Sequence, residues 1–329
     1  MKITTYTDPN CFDTLASEWN PLVAQSSASG LFATREWLQT WWQMLGEGDL
    51  HLVTLRDDAD KLLGIAPLFY PSAGQISLVG HKEVTDYVDV IFARGHEAAC
   101  YQALLDYLNT QAPAWHEFVI YNVPEGSPTL SALPTQAQAQ GWGATVEFED
   151  VCPQIALPAS FDAYLNLLDG KERRELQRKL RRASEEVTIT YASDRSKLDQ
   201  DMGDFIRLMM ASTFAKSGFM NPRMERYFYA QARRMFDAGW LQLAFLEVEG
   251  ERAAAYLNFV YDGQVLVYNS GLDPAKFSYL SPGQVLIAKL IEHAIAQKQR
   301  IFDFLQGNEE YKYKLGGKDR KVFIVKVTR

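Results

Sequence analysis

Cysteine is scarce: Cys11, Cys100 and Cys152 are the three in 329 residues, and they stand far apart. That spacing gives neither a disulfide framework nor a CxxC metal pair. The five histidines, His51, His81, His96, His116 and His293, include no HxH or HExxH spacing, so no metal is expected. No apolar run reaches the roughly 18 to 20 residues that a bilayer span needs. The opening MKITTYTDPNCFD lacks the apolar stretch of a secretory signal, which makes a cytoplasmic location the expectation. Positive charge is in deficit too. With 33 Lys and Arg against 41 Asp and Glu, the formal charge of −8 argues against a general nucleic-acid binder.

What is present is ordinary for a globular chain, 47% hydrophobic and 22% charged, and long enough for two domains. The order of elements is written twice. In the first half a tryptophan-rich helix (Arg35–Leu45) precedes strands at Leu50–Leu55, Leu62–Tyr70 and Gln75–Val79, then a helix from about Glu97 to Leu108 and a strand at Glu117–Tyr121. In the second half a helix (Met224–Phe236) precedes strands at Leu241–Leu246, Ala253–Tyr261 and Gln264–Tyr268, then a helix after Ser281 and a strand at Ile301–Leu305. Leu50–Tyr70 and Leu241–Tyr261 have the same length. The expectation is an α/β duplication, two mixed and largely antiparallel sheets flanked by helices, with domains at 1–158 and 159–329. Ser160 suits the cap of a helix that opens the second domain. Trp37, Trp41 and Trp42 fall at helical spacing and are expected to pack that helix on its sheet.

Two segments suggest an anion site. Ser281, Pro282 and Gly283 open an amphipathic helix: Ser281 suits an N-cap, Pro282 loses no needed N–H, and Gly283 removes a side chain where a pyrophosphate would approach. A helix start leaves unpaired N–H groups and partial positive charge. The second segment, Lys171–Arg182, reads as a helix with seven basic residues, Leu176 and Leu180 sharing its apolar face. It is either a solvated face or a cationic wall for an anionic ligand.

The run Asn269-Ser270-Gly271-Leu272-Asp273-Pro274, Leu280-Ser281-Pro282-Gly283, Asp303-Phe304-Leu305-Gln306-Gly307 and Glu310-Tyr311-Lys312 resembles the second half of GNAT-like acyltransferases, in the cellulose-biosynthesis-associated (CelD-like) acetyltransferase branch. The resemblance extends back through the basic segment at Lys171 to the LFATREWL opening at Leu31. The usual GNAT loop has the form Arg/Gln-x-x-Gly-x-Gly/Ala, whereas Phe277–Gly283 holds one glycine. In tandem layout the chain is similar to the Fem-type peptidyl transferases. The first half opens its helix with His96-Glu97-Ala98-Ala99 and has no Ser-Pro-Gly. The second domain is thus the expected acyl-CoA site and the first the acceptor side of the cleft.

The resemblance implies acetyl-CoA or another acyl-CoA as co-substrate, held by Asn269, Ser270, Ser281, Pro282, Gly283 and Gln284. Asp303 alternates with Phe302 and Phe304 and is a candidate base, or a turn former at a strand end. Tyr311 is a candidate proton donor to the leaving thiolate, and Lys312 a holder of phosphate or carboxylate; the pair equally reads as part of an amphipathic strand, Tyr311–Leu315. Asp86, Tyr87, Arg173 and Arg174 are candidates for the acceptor. The expected function is N- or O-acyl transfer to a small polar or sugar-linked acceptor, in the setting of exopolysaccharide metabolism. Two other readings stand beside it: a Fem-type transferase using aminoacyl-tRNA, disfavoured by the net charge and by the lack of a long helical-hairpin insertion, and a non-catalytic accessory protein of polysaccharide synthesis.

Overall fold

The computed structural model describes residues 1–28, 30–80 and 83–329, so His81 lies outside the described residues. By contacts the chain divides into one unit of Met1–Val151 with Arg320–Arg329, and another of Cys152–Asp319.

In the first unit β1 (Lys2–Tyr6), α1 (Cys11–Thr14), α2 (Ala16–Gln25) and α3 (Arg35–Leu45) lead to β2 (Asp49–Arg56), β3 (Leu62–Ser72), β4 (Gln75–Leu78) and the short β5 (Ile91–Phe92). Then come α4 (Glu97–Thr110), β6 (Glu117–Pro124), α5 (Thr129–Ala139) and the start of β7 (Gly143–Ala156). Thr34 Oγ1 caps α3 by accepting from Trp37 N at 3.3 Å. Trp37 and Trp41 are buried, and Trp42 packs on Phe69 of β3, the packing role expected of them.

The second unit takes the end of β7, then α6 (Phe161–Leu167), α7 (Gly170–Ala183), β8 (Val187–Tyr191), α8 (Leu198–Ser212), α9 (Phe214–Phe219) and α10 (Pro222–Asp237). Ser160 caps α6 as expected, its Oγ accepting from Ala163 N at 3.1 Å. β9 (Leu241–Val248), β10 (Glu251–Tyr261), β11 (Gln264–Leu272), α11 (Pro282–Ala296), β12 (Ile301–Asp303) and α12 (Glu310–Lys314) complete it. The last strand, β13 (Lys318–Thr328), pairs antiparallel with β6 and so returns to the first unit. The contact boundary falls within β7, which runs to Ala156, beside the expected division at 158/159, and the last ten residues group with the first unit because β13 pairs with β6.

The repeat is explicit in the pairing. β2 and β9 are each 8 residues long, and β3 and β10 are each 11. β2–β3 and β9–β10 are antiparallel, whereas β4–β6 and β11–β12 are parallel, each parallel pair joined through a helix, α4 or α11. Glu249-Gly250 and Asp262-Gly263 turn the second unit's hairpins with positive φ at both central residues, the geometry that matches strand twist.

α11 explains the second unit's core. Val285, Leu286, Ile287, Leu290 and Ile291 are buried in one cluster with Ala254 and Tyr256 of β10 and Val265 and Val267 of β11. Each such aliphatic side chain contributes roughly 1.5–3 kcal/mol on burial. Below the helix, β11 and β12 pair at only three positions, Gln264 with Ile301, Val265 with Phe302 and Leu266 with Asp303. β12 then stops while β11 continues to Leu272 against β10, with a bulge at Tyr268 opposite Leu257 and Asn258. The parallel strands therefore part, and among the described residues the side of β11 that faced β12 has no strand partner along residues 267–272, the stretch called the gap below.

Candidate functional site

A cleft of about 510 Å³ in the second unit is bounded by α7, the first turn of α11, and α12. Lys171, Arg174, Arg178, Lys179 and Lys314 line it against Glu172 and Glu175, with Gln284, Tyr311, Leu176 and Leu315. It is a positive site on an acidic chain. Glu175 is engaged by Arg178 at 2.8 Å and Lys179 at 3.1 Å, and those two bonds hold its carboxyl down at about 2. Lys314 pairs with Glu310 at 2.9 Å. Among the described residues, Lys171 and Arg174 have no acidic partner within salt-bridge distance. Those two exposed cations are free to meet an anion.

The basic helix and the start of α11 are joined directly. Lys179 Nζ donates to Gln284 Oε1, and Arg182 Nη1 donates to the carbonyl of Tyr279 at 2.9 Å. Tyr279 in turn donates from its hydroxyl to Glu186 at 2.9 Å. Pro282 is the first helical residue, as expected, but Ser281 does not cap through its side chain. Its φ of 53° is left-handed, whereas a capping serine needs extended backbone to aim its hydroxyl at the first turn. Phe277 is left-handed as well, with φ 54°, so two non-glycine residues in sparsely populated backbone bracket the turn before α11. At Gly283 a Cβ would lie 3.1 Å from Leu272 Cδ2. The missing side chain lets the end of β11 pack on the helix start.

Asn269 and Ser270 stand on β11 beside the gap. Ser270 pairs with Tyr256 of β10 on one side. Its N–H donates to Asn269 Oδ1 at 2.9 Å, and its carbonyl and hydroxyl both accept from Lys216 Nζ of α9, the hydroxyl at 3.2 Å. Burial pulls the Lys216 ammonium down to about 8, with Glu309 acting in the opposite sense. Gly271 must lack a side chain, since a Cβ there would fall 2.4 Å from Met209 N and 2.6 Å from Leu208 C in α8.

Asp303 is fully buried; its Oδ1 accepts from Leu305 N at 2.8 Å and its Oδ2 from Gln154 Nε2 at 2.7 Å. That is the turn-forming arrangement at a strand end. The strand expected to Leu305 ends at Asp303 because Leu305 is left-handed, φ 57°. Lys312 is buried, and its Nζ donates to the carbonyls of Leu305, Gln306 and Gly307 at 3.1, 2.8 and 3.0 Å, with Glu309 at 2.9 Å. Those partners occupy the ammonium that was a candidate for phosphate. Tyr311 and Lys312 lie on a helix, α12, rather than the amphipathic strand: Tyr311 and Leu315 recur at i, i+4 on its inner side, and Leu315 N donates to Tyr311 O at 3.1 Å. Burial first, then Glu309, push the Tyr311 phenol far up, so it stays protonated at neutral pH.

Of the acceptor candidates, Arg174 lines the cleft, while Arg173 donates to Asn166 Oδ1 at 2.8 Å. Asp86 and Tyr87 are half-buried in the first unit, where the Tyr87 ring lies 4.8 Å from the Arg320 guanidinium and 6.0 Å from the Phe32 ring. Sequence reasoning missed Lys216, Lys314 and Glu309. A lone lysine between Phe214 and Phe219 reads as a surface charge, and only the tertiary contact to Ser270 distinguishes it.

Residues 170–313, from the start of α7 into α12, match the family described as acetyltransferase (GNAT) domain. No curated protein matches the sequence. Among solved structures the chain is similar to FemX, at 12% identity over 98% of this chain and 97% of that one, with a TM-score of 0.67. It is similar to L-PGS from Bacillus licheniformis, at 11% identity over 100% and 94%, TM-score 0.60. A conserved protein of unknown function from Bacteroides thetaiotaomicron, at 11% identity over 100% of both chains, also gives 0.60. These likenesses extend the shared fold over both units. The fold is α/β and GNAT-like, written in tandem.

Proposed function

We propose that the protein is an acyl-CoA-dependent N- or O-acyltransferase, with acetyl-CoA the first donor to consider and a small polar or sugar-linked molecule as acceptor. The observation that supports this most is the joining of α7 to the first turn of α11 around a cationic cleft inside the GNAT-like segment. A pyrophosphate seated there meets Lys171 and Arg174 together with the positive end of α11. The pantetheine arm then runs as an added strand along the unpaired side of β11, towards the bulge at Tyr268. Tyr311, protonated and on the cleft wall, is the donor for the departing thiolate. Asp303 orders the strand end rather than taking a proton. Asp86 and Tyr87 remain proposed for the acceptor, in a setting of exopolysaccharide metabolism as in the CelD-like branch.

Calorimetric titration with acetyl-CoA and with free CoA tests the reading, using a Lys171→Glu/Arg174→Glu double variant. Both side chains are exposed, so the variant keeps its fold while reversing the local charge. Saturable binding that the variant weakens by at least about tenfold is expected, since close charge pairs each contribute more than about 1 kcal/mol. Absence of binding by the unmodified protein overturns it.

A second reading, transfer from an aminoacyl-tRNA, draws on the same cations, which suit RNA phosphates equally well. Retention of charged but not uncharged tRNA on filters, with no acyl-CoA binding, would favour it.

A further inference from the structure

Two of the candidate catalytic groups are committed elsewhere: Asp303, the candidate base, to Leu305 and Gln154, and Lys312, the candidate phosphate holder, to three loop carbonyls. Lys216 Nζ reaches this stretch of β11, at Ser270. Ser270 lies four residues beyond Leu266, the last residue of β11 that pairs with β12. A backbone carbonyl at an open strand side must find a donor, and here the donor is a lysine ammonium. A pantetheine arm added along this side of β11 takes its hydrogen bonds from the same backbone. An arm seated there would therefore run past Lys216.

We propose that Lys216 is itself an acyl acceptor: when acyl-CoA occupies the gap, Nζ attacks the thioester carbonyl carbon and yields Nε-acyl-Lys216 and free CoA. The inference rests on the acyl-CoA reading above. The nitrogen lone pair forms the C–N bond, the C–S bond breaks, and the sulfur leaves with that electron pair. The proton lost from nitrogen passes to the thiolate, and nothing is oxidised or reduced.

Geometry and environment agree. Ser270 Oγ and O orient the amine from β11, and Glu309, ahead of α12, is the charged group acting on it among the described residues. With its ammonium drawn down to about 8, roughly a tenth of Lys216 is free amine at pH 7, about two- to three-hundredfold more than an ordinary lysine. Acylation replaces three donors and a charge with one amide N–H, and so loosens the hold on Ser270. The modified side chain belongs to α9 and lies against Ser270 of β11.

The test is incubation of the full chain with isotope-labelled acetyl-CoA, followed by digestion and mass spectrometry of lysine peptides, with acetyl phosphate as a donor that needs no CoA site. Lys216 is expected to label at least about tenfold faster than exposed Lys298 with acetyl-CoA, with a clearly smaller advantage with acetyl phosphate, the acetyl-CoA rate rising with pH and levelling above about 8. Lys216→Arg should lose this label while Lys298 labels as in the parent. Labelling of Lys216 no faster than Lys298 while binding persists overturns the inference and leaves the acyl-CoA reading standing. Equal labelling by acetyl phosphate also overturns it. Failure of the unmodified protein to bind acetyl-CoA overturns both.

Discussion

Lys312 Nζ donates to the carbonyl of Leu305 at 3.1 Å, and Leu305 is held in left-handed backbone, φ 57°. Left-handed backbone costs a branched residue roughly 1–2 kcal/mol, so the loop after β12 is a strained turn kept in place by a buried ammonium. Glu309, 2.9 Å from the same nitrogen, completes the clasp.

Lys312→Met should therefore act on stability first. It leaves Leu305, Gln306 and Gly307 carbonyls without their donor, and a loss of about 2–4 kcal/mol is expected in urea unfolding. A lysine whose role was to hold a ligand phosphate would leave the unfolding midpoint unchanged.

Gly271 and Gly283 should respond differently to alanine. At Gly271 the new methyl meets the α8 backbone, and overpacking of about 1–3 kcal/mol or more is expected. At Gly283 it meets only the end of the Leu272 side chain, which can turn aside, and the cost should stay below about 1 kcal/mol with acetyl-CoA binding retained. Thermal unfolding of the two variants side by side checks the contrast.

Asp89 gives a pH dependence of known sign. Its carboxyl accepts from Ser127 Oγ, Thr129 Oγ1 and, at 2.8 Å, Val90 N, yet burial outweighs these bonds and raises it to about 6. The folded state thus prefers the neutral form. That stabilisation is complete below the ordinary carboxylate value of about 4 and is lost as pH rises through about 6. Asp89→Asn should flatten the stability profile between those limits and gain about 1–2 kcal/mol relative to the parent at pH 7, read by denaturant midpoints across pH.

Donor binding should fall steeply with salt. The cleft cations are exposed or half-exposed, and the screening length shrinks from about 10 Å at 0.1 M to about 3 Å at 1 M. Calorimetry with acetyl-CoA over that range should show affinity falling by at least about tenfold, whereas a site dominated by apolar contact would hold or tighten.

Strong periods and local turn chemistry made much of the fold legible. Glu249-Gly250 and Asp262-Gly263 announce two-residue hairpins, and the long apolar runs of β3 and β10 can be read directly. The basic face of α7 was equally plain, and the structure sets it beside the Ser-Pro-Gly start. What escaped was set by tertiary contact. Five residues of α12 are too few to separate a helical period from a strand period, and Lys312 looks outward in the sequence while its partners fold back over it. Ser281 has the composition of a cap but the wrong backbone, a property that residue type does not encode. Nothing near Lys216 in the sequence foretells Ser270, 54 residues away.

The return of β13 has a consequence for how the molecule is made. Residues 320–329 pair with β6 in the first unit, although the whole second unit is translated before them. On the ribosome, β6 emerges early and must wait with an unpaired edge, while Cys152–Asp319 can collapse as one continuous stretch. The first unit therefore keeps one open edge of β6 until residues 320–329 arrive, whereas the second is continuous in the chain.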